Sequence, residues 1–170
     1  GVSDQTVAAV ALMRALFDRV LVETVGVGQS EADVATLADT VLLCIQPGSG
    51  DSLQFMKAGV MELPDVVVVT KGDMGAPARR ANADVEGALS LYERRDGGWA
   101  TPVALVSALE KTGLGEAEAA LAAHEAHLRR AGRLETRRAR QTEACVEQAI
   151  RARFGAAGLE AARGMGALLA

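Results

Sequence analysis

Four consecutive valines, Val66-Val67-Val68-Val69, constrain this chain more than any other stretch. A run that is apolar at every position, rather than at alternate ones, needs cover on both faces, as strands of helix-flanked parallel sheets have. Fully burying each valine is worth roughly 1.5–3 kcal/mol, so exposing the run is costly. Val41-Leu42-Leu43-Cys44-Ile45 repeats the pattern, and Val20 to Val22 and Pro102 to Val106 read as shorter strands of the same kind. Helical patterns fall between them. Asp4 to Phe17 has Ser3 or Asp4 as its cap, and Ser30 to Ala38 carries acids in its first turn. Ser52 to Glu62 stops before Pro64, and a polar connector holding Pro77 leads to a helix from about Asn82 to Tyr92. Trp99 and Tyr92 flank the tight turn Asp96-Gly97-Gly98 and read as packing residues. Strands alternating with helices predict βαβ units and a mostly parallel α/β sheet. Glu116 to about Phe154 is helical in pattern, with Gly132 dividing or bending it. Gly155 to Ala170 is rich in small residues and is expected to be frayed or loosely packed.

Composition narrows the function classes. At 170 residues the chain predicts one domain with a real core, built from Val, Leu and Ala because only 3% of residues are aromatic. A formal charge of −4 argues against a general polyanion binder, leaving local patches open. Cys44 and Cys145 stand far apart with no CxxC spacing, which points to a reduced, cytoplasmic setting. No apolar run approaches the ~20 residues of a membrane helix.

The ends of the apolar runs carry the chemistry. In open parallel sheets, ligands bind beyond the carboxyl ends of the strands. Glu23 follows Val22, with Gly26 and Gly28 in the loop after it. The acid is placed to meet magnesium or its water shell, and the glycines allow backbone N–H groups close to a phosphate. Val66–Val69 runs into Thr70-Lys71-Gly72-Asp73. A carboxylate there can accept from the ring N–H and the exocyclic amine of guanine, and adenine offers neither donor in that arrangement. At ~1.5–3 kcal/mol for each hydrogen bond to a charged group, losing both implies roughly 10²–10⁴-fold discrimination. Lys-Gly-Asp is also ordinary turn composition, and Ser107-Ala108-Leu109 at the next strand end is equally consistent with a helix cap. The ordered set, each member after its own apolar run, is far more specific than any one of them.

On these residues the chain resembles the MeaB/ArgK type of P-loop GTPase, which accompanies cobalamin-dependent acyl-CoA mutases. Val22 to Glu31 matches that family's second switch, with Glu23 in place of the usual Asp. Thr70-Lys71-Gly72-Asp73 matches its guanine-specificity motif, with Thr for the common Asn, and Ser107-Ala108-Leu109 the following base-binding motif. Gly48 to Lys57 resembles the family's extra switch loop. Asp51, Leu53, Gln54, Lys57 and Gly59 agree with it, whereas Ser52, Phe55, Met56 and Ala58 depart. The resemblance covers roughly residues 1 to 130. It implies a partial P-loop NTPase sheet over 1–115 and a helical extension over 116–170 serving dimerisation or interaction. It further implies GTP and GDP as ligands with magnesium, a methylmalonyl-CoA-mutase-type partner, and a homodimer. By the same resemblance Glu23, Gly26, Gln54 and Lys57 are candidate catalytic residues, with Glu23 beside the metal. Gly28, Gln29 and Asp51 belong to the switch loops, and Thr70, Lys71, Asp73, Ser107, Ala108 and Leu109 to the nucleotide site.

One departure outweighs the others. No GxxxxGK[ST] occurs in the chain, and Gly26-Val27-Gly28-Gln29-Ser30 lacks the lysine. In the family the phosphate loop precedes the point where this sequence begins, so a truncated gene, a fragment, a separately encoded half and a degenerate scaffold all stay open. Triphosphate affinity and autonomous hydrolysis are expected to suffer without that loop. Two weaker signals remain. His124 and His127 share a helical face and could ligate metal, although no third ligand of matching spacing accompanies them. Arg129, Arg130, Arg133, Arg137, Arg138 and Arg140 form a basic stretch. It reads as a solvated face or a dimer contact rather than a surface for nucleic acid or acyl-CoA phosphates, since few aromatics accompany it.

Overall fold

The structure is a computed structural model that describes residues 4–24, 34–48, 64–91 and 98–169. Three parallel strands form its sheet: β1 (Leu42–Ile45), β2 (Val66–Val69) and β3 (Val103–Leu105), in the order β1-β2-β3. Leu42 registers with Val66 and Ile45 with Val69, while Val67 and Val69 register with Val103 and Leu105. The valine run is therefore the central strand, and all four of its residues are buried. Its side chains alternate between two cores. Val67 and Val69 join Ile45 and Val85, the last on helix α2 (Ala76–Leu89). Val68 joins Ala104 and Val106 against Ala117 of helix α3 (Leu114–Arg129). One helix covers each face, as the unbroken apolar pattern requires.

Helix α1 (Asp4–Leu16) opens the described chain much as its pattern predicts. The expected strand over Val20–Val22 does not form. Residues 19–24 run irregularly, Leu21 is 97% exposed, and Glu23 lies exposed on this segment rather than at a strand's carboxyl end. The physical reason is the lack of a ladder: β1 pairs on one side with β2, and no described residue pairs with its other side. Of the Ser30–Ala38 helix only residues 34–35 are helical among those described, with a turn following. The Ser52–Glu62 helix lies outside the described residues. Helix α2 begins six residues earlier than its pattern suggests, because Pro77 sits in the first turn, where a missing N–H costs nothing.

The helical half is longer than expected. Gly132, with φ 65°, ends a short 3-10 turn between α3 and helix α4 (Arg133–Leu169). Of the fraying or loose packing expected after Gly155, the fraying is not found, while residues 155–164 are mostly exposed. The chain stays helical to Leu169 and breaks only at Gly155, whose φ of 68° and ψ of −169° are open to glycine. There it folds back. Arg163 bonds Glu147 across the break (Nε to Oε1, 2.9 Å), and Leu159 is buried.

A polar network fastens these helices to the amino end of the sheet. Asp65, just before β2, is buried. Its Oδ2 accepts from the Val41 N–H at 2.8 Å and from Arg137 at 3.0 Å, and its Oδ1 lies 3.4 Å from His124 Nε2. Its carbonyl accepts from the Trp99 indole at 2.8 Å. Nearer the surface, Asp39 receives Arg14 at 3.3 Å and Arg138 at 2.6 Å, and this hydrogen bond holds the Arg138 guanidinium above its usual pKa. The two anchors differ in burial. Removing one partner of a buried pair strands the other charge and costs about 3–5 kcal/mol; a partly exposed pair contributes about 1 kcal/mol or less. Asp65→Ala should therefore lose about 3–5 kcal/mol in urea unfolding, against at most about 1 kcal/mol for Asp39→Ala. Equal losses would remove Asp65 from its central place.

Candidate functional site

Two loops leave the carboxyl ends of β2 and β3 side by side. The first is built by backbone ties to both neighbouring strands. The Thr70 N–H and hydroxyl both donate to the Ile45 carbonyl, at 2.8 and 3.1 Å, holding the loop's start against β1. Lys71 then turns the chain through a left-handed conformation (φ 55°, ψ 44°), uncommon for a residue with a Cβ. The turn brings the Gly72 N–H within 2.8 Å of the Val106 carbonyl. A Cβ on Gly72 would stand 3.3 Å from that carbonyl, so glycine keeps the approach close. A 3-10 turn over Gly72–Met74 leaves Lys71 and Asp73 exposed at the top.

The second loop is closed on itself. Ser107 and Thr112 exchange backbone hydrogen bonds of 3.0 and 3.1 Å, so residues 108–111 form a tight excursion with Ala108 and Leu109 exposed on it. Ser107 is fully buried. Its hydroxyl accepts from the Glu110 N–H at 3.1 Å and donates to Asp73 Oδ1 at 2.6 Å. One hydroxyl thus binds two loops 34 residues apart and fixes the carboxylate's orientation. Among the described residues Asp73 Oδ2 takes no hydrogen bond, which leaves an exposed, oriented acceptor for paired N–H donors.

Gly113 escaped the sequence reading although the loop depends on it. Its φ is 71°, and a Cβ there would lie 2.0 Å from the Leu105 carbonyl oxygen. A Gly directly before a helical pattern was the available signal. The six expected site residues that the structure describes on these loops, Thr70, Lys71, Asp73, Ser107, Ala108 and Leu109, are brought together. Glu23 is not among them; it stands alone on the irregular 19–24 segment. Gly26, Gly28, Gln29, Asp51, Gln54 and Lys57 lie outside the described residues. Among the described residues no group of three His, Cys, Asp or Glu could hold a metal ion. The exposed Glu23 carboxylate does not by itself make a magnesium site.

His124 and His127 do share a face, with ring centroids 6.4 Å apart, but protein groups engage both. His124 is buried between Thr40 (Oγ1 to Nδ1, 2.9 Å) and Asp65, and His127 meets Arg133 at 3.0 Å. Trp99 packs on both rings, at 4.9 and 5.2 Å. The arginine stretch is not simply a solvated face either. Arg137 and Arg138 dock α4 on Asp65 and Asp39, while Arg129 pairs with Glu125 on α3 and keeps its carboxyl below the usual range.

Comparison with known proteins supplies an independent frame. The family model described as methylmalonyl Co-A mutase-associated GTPase MeaB matches residues 1–161. A Mycobacterium tuberculosis protein described as a probable GTPase is 40% identical over 154 residues, which is 89% of this chain and 46% of that protein. GTPase ArgK of Escherichia coli is 39% identical over 128 residues, 74% of this chain and 39% of ArgK. The mouse mitochondrial methylmalonic aciduria type A homolog is 45% identical over 102 residues, 59% of this chain and 25% of its own. A crystal structure of LAO/AO transport system kinase superposes with a TM-score of 0.71 at 33% identity, covering 85% of this chain and 47% of that one. The chain spans less than half the length of these relatives.

The loop geometry makes two substitutions informative. Ser107→Ala should lower stability by about 0.5–1.5 kcal/mol, by removing the hydroxyl that joins Asp73 to the Glu110 N–H. Gly113→Ala forces both a left-handed alanine and a backbone clash, and should lower the melting temperature more than Ser107→Ala does. A Gly113→Ala variant that melts with the parent would contradict the closed loop.

Proposed function

Because the chain belongs to the methylmalonyl-CoA mutase-associated GTPase family MeaB, we propose that it carries the guanine-reading half of a GTP-binding, GTP-hydrolysing chaperone for a cobalamin-dependent acyl-CoA mutase. The observation that carries this reading is the Asp73 carboxylate, exposed and oriented by Ser107 at the carboxyl ends of β2 and β3. In it, Asp73 accepts from the ring N–H and exocyclic amine of guanine. Lys71 lays its alkyl stem along the base, and the backbone of Ser107 to Leu109 meets the base carbonyl. Thr70 holds the loop on the Ile45 carbonyl through both its N–H and its hydroxyl.

Hydrolysis in such a site is electrostatic positioning of phosphates and a water. The phosphates are to be held by sequence outside these 170 residues, on the same polypeptide or another, since no GxxxxGK[ST] lies within them. Gly26, Gly28, Gln29, Asp51, Gln54 and Lys57 are proposed for the switch loops that answer to the terminal phosphate. Glu23 is the acid proposed on that side, and no step of this reading runs through a metal ion. The helices after residue 115 are proposed as a dimer or partner contact in a cytoplasmic protein; no described helix is long and apolar enough to cross a membrane.

A second reading, a non-catalytic interaction module, is favoured by one observation. Among the described residues the outer side of β1 is unpaired, with Leu42 and Cys44 exposed along it. Titration with fluorescent GDP and GTP, with ATP as competitor, separates the two. With a phosphate-loop-bearing N-terminal half present, guanine-selective binding is expected, and Asp73→Ala should weaken it roughly 10²–10⁴-fold. Binding that ATP displaces equally, or that Asp73→Ala leaves intact, would sink the guanine reading. Silence in the presence of that half would favour the interaction module.

A further inference from the structure

Among the described residues only two that carry a Cβ take a left-handed backbone, and both are lysines: Lys71 at φ 55° and Lys111 at φ 57°. Every other described residue at positive φ is a glycine. The lysines stand one on each of the two loops that the Ser107 hydroxyl joins. We propose that Lys111 is a further specificity residue of the guanine site, its ammonium donating to the O6/N7 edge of the base. The inference rests on the guanine reading above and assigns the edge that Asp73 does not read.

Backbone bonds set the position of Lys111. Thr112, the next residue, exchanges hydrogen bonds of 3.0 and 3.1 Å with Ser107. Glu110, the residue before, donates its N–H to the Ser107 hydroxyl at 3.1 Å, and that hydroxyl donates to Asp73 at 2.6 Å. Lys111 is therefore held between two residues bonded to the one that orients the acid. Closing the loop imposes the left-handed turn on whatever residue occupies position 111. Glycine meets that demand without strain, whereas a Cβ makes it costly. A lysine stands there against its backbone preference, and strained residues of this kind collect at ligand sites.

The chemistry of the base says what such a lysine would meet. Guanine presents donors at its ring N–H and exocyclic amine, and acceptors at O6 and N7 on the adjoining edge. A carboxylate matches the donors; an ammonium, with three donors and no acceptor, matches the acceptors. Lysine is an established reader of that acceptor pair. Thr70 has no proton left for N7, because its hydroxyl donates to the Ile45 carbonyl at 3.1 Å. Lys71 belongs to the Asp73 loop, and its stem is already assigned to the face of the base. Lys111 comes from the other loop, whose backbone is proposed to meet O6. It is exposed, and among the described residues no hydrogen bond or ion pair engages it.

The test compares GDP with 7-deaza-GDP, in which a C–H replaces the N7 acceptor. Both are measured by competition with fluorescent GDP on the full chain, with the phosphate-loop-bearing N-terminal half present. The parent should bind 7-deaza-GDP about tenfold more weakly than GDP. Lys111→Gly should weaken GDP about tenfold and bind the two nucleotides alike. Its melting temperature should equal or exceed the parent's, because the left-handed strain is released. Lys111→Asn, which also tolerates the turn, should bind as Lys111→Gly does, and Lys111→Arg should keep the preference for GDP. A lysine that met a phosphate instead would cost GDP and 7-deaza-GDP equally in Lys111→Gly, and a merely structural one would leave both affinities unchanged. Either result overturns the proposal, as does a parent that binds the two nucleotides equally. Guanine selectivity over ATP that depends on Asp73 but not on Lys111 sinks this inference alone, whereas a parent without that selectivity sinks the guanine reading as well.

Discussion

The buried carboxylate of Asp65 is the interaction on which the rest of the structure rests. A charge taken from water needs partners on every side, and Asp65 finds them on four separate pieces of chain. Val41 precedes β1, His124 lies on α3, Arg137 lies on α4, and Trp99 leads into β3 and uses the Asp65 carbonyl. Because the partners are far apart in sequence, satisfying one acid fixes how the helical half meets the sheet. The apolar cores above it do not impose that geometry, since hydrophobic burial is non-directional.

At the other end of β2 a much smaller contact organises the candidate site. The Ser107 hydroxyl holds Asp73 on one side and the Glu110 N–H on the other, so two loops act as one surface. Supporting residues carry no chemistry of their own. Gly72 lets the first loop reach the Val106 carbonyl, and Gly113 lets the second turn under Leu105. The division suits recognition: exposed side chains at the top can meet a ligand while backbone bonds below hold them rigid.

The two ends of the sheet thus have opposite characters. The carboxyl end presents an oriented acid, and the amino end presents arginines, some spent on docking and some facing a groove. Acid and base are separated by the length of a four-residue strand, about 13 Å. A net charge of −4 conceals this polarity, so composition argued against a general polyanion binder and left only local patches open.

The sequence by itself determined the central strand, the parallel α/β class, the break at Gly132 and the pairing of the Thr70–Asp73 loop with Ser107. Each depends on local pattern: unbroken apolar runs, a glycine in a helical stretch, or polar motifs at strand ends. It failed where the outcome depends on a neighbour. Val20 to Val22 has strand composition, yet without a ladder partner among the described residues it stays irregular and takes Glu23 with it. Pro77 resembled a connector until the preceding 3-10 turn delivered it to a helix's first turn. The small residues after Gly155 promised fraying, and a fold-back secured by Arg163 and Glu147 keeps them helical. Only the tertiary structure decided that His124 and Arg137 serve one buried acid, while Arg138 serves Asp39. No spacing rule links Asp65 to residues 59 and 72 positions away, because partners of a buried charge are chosen by proximity in space.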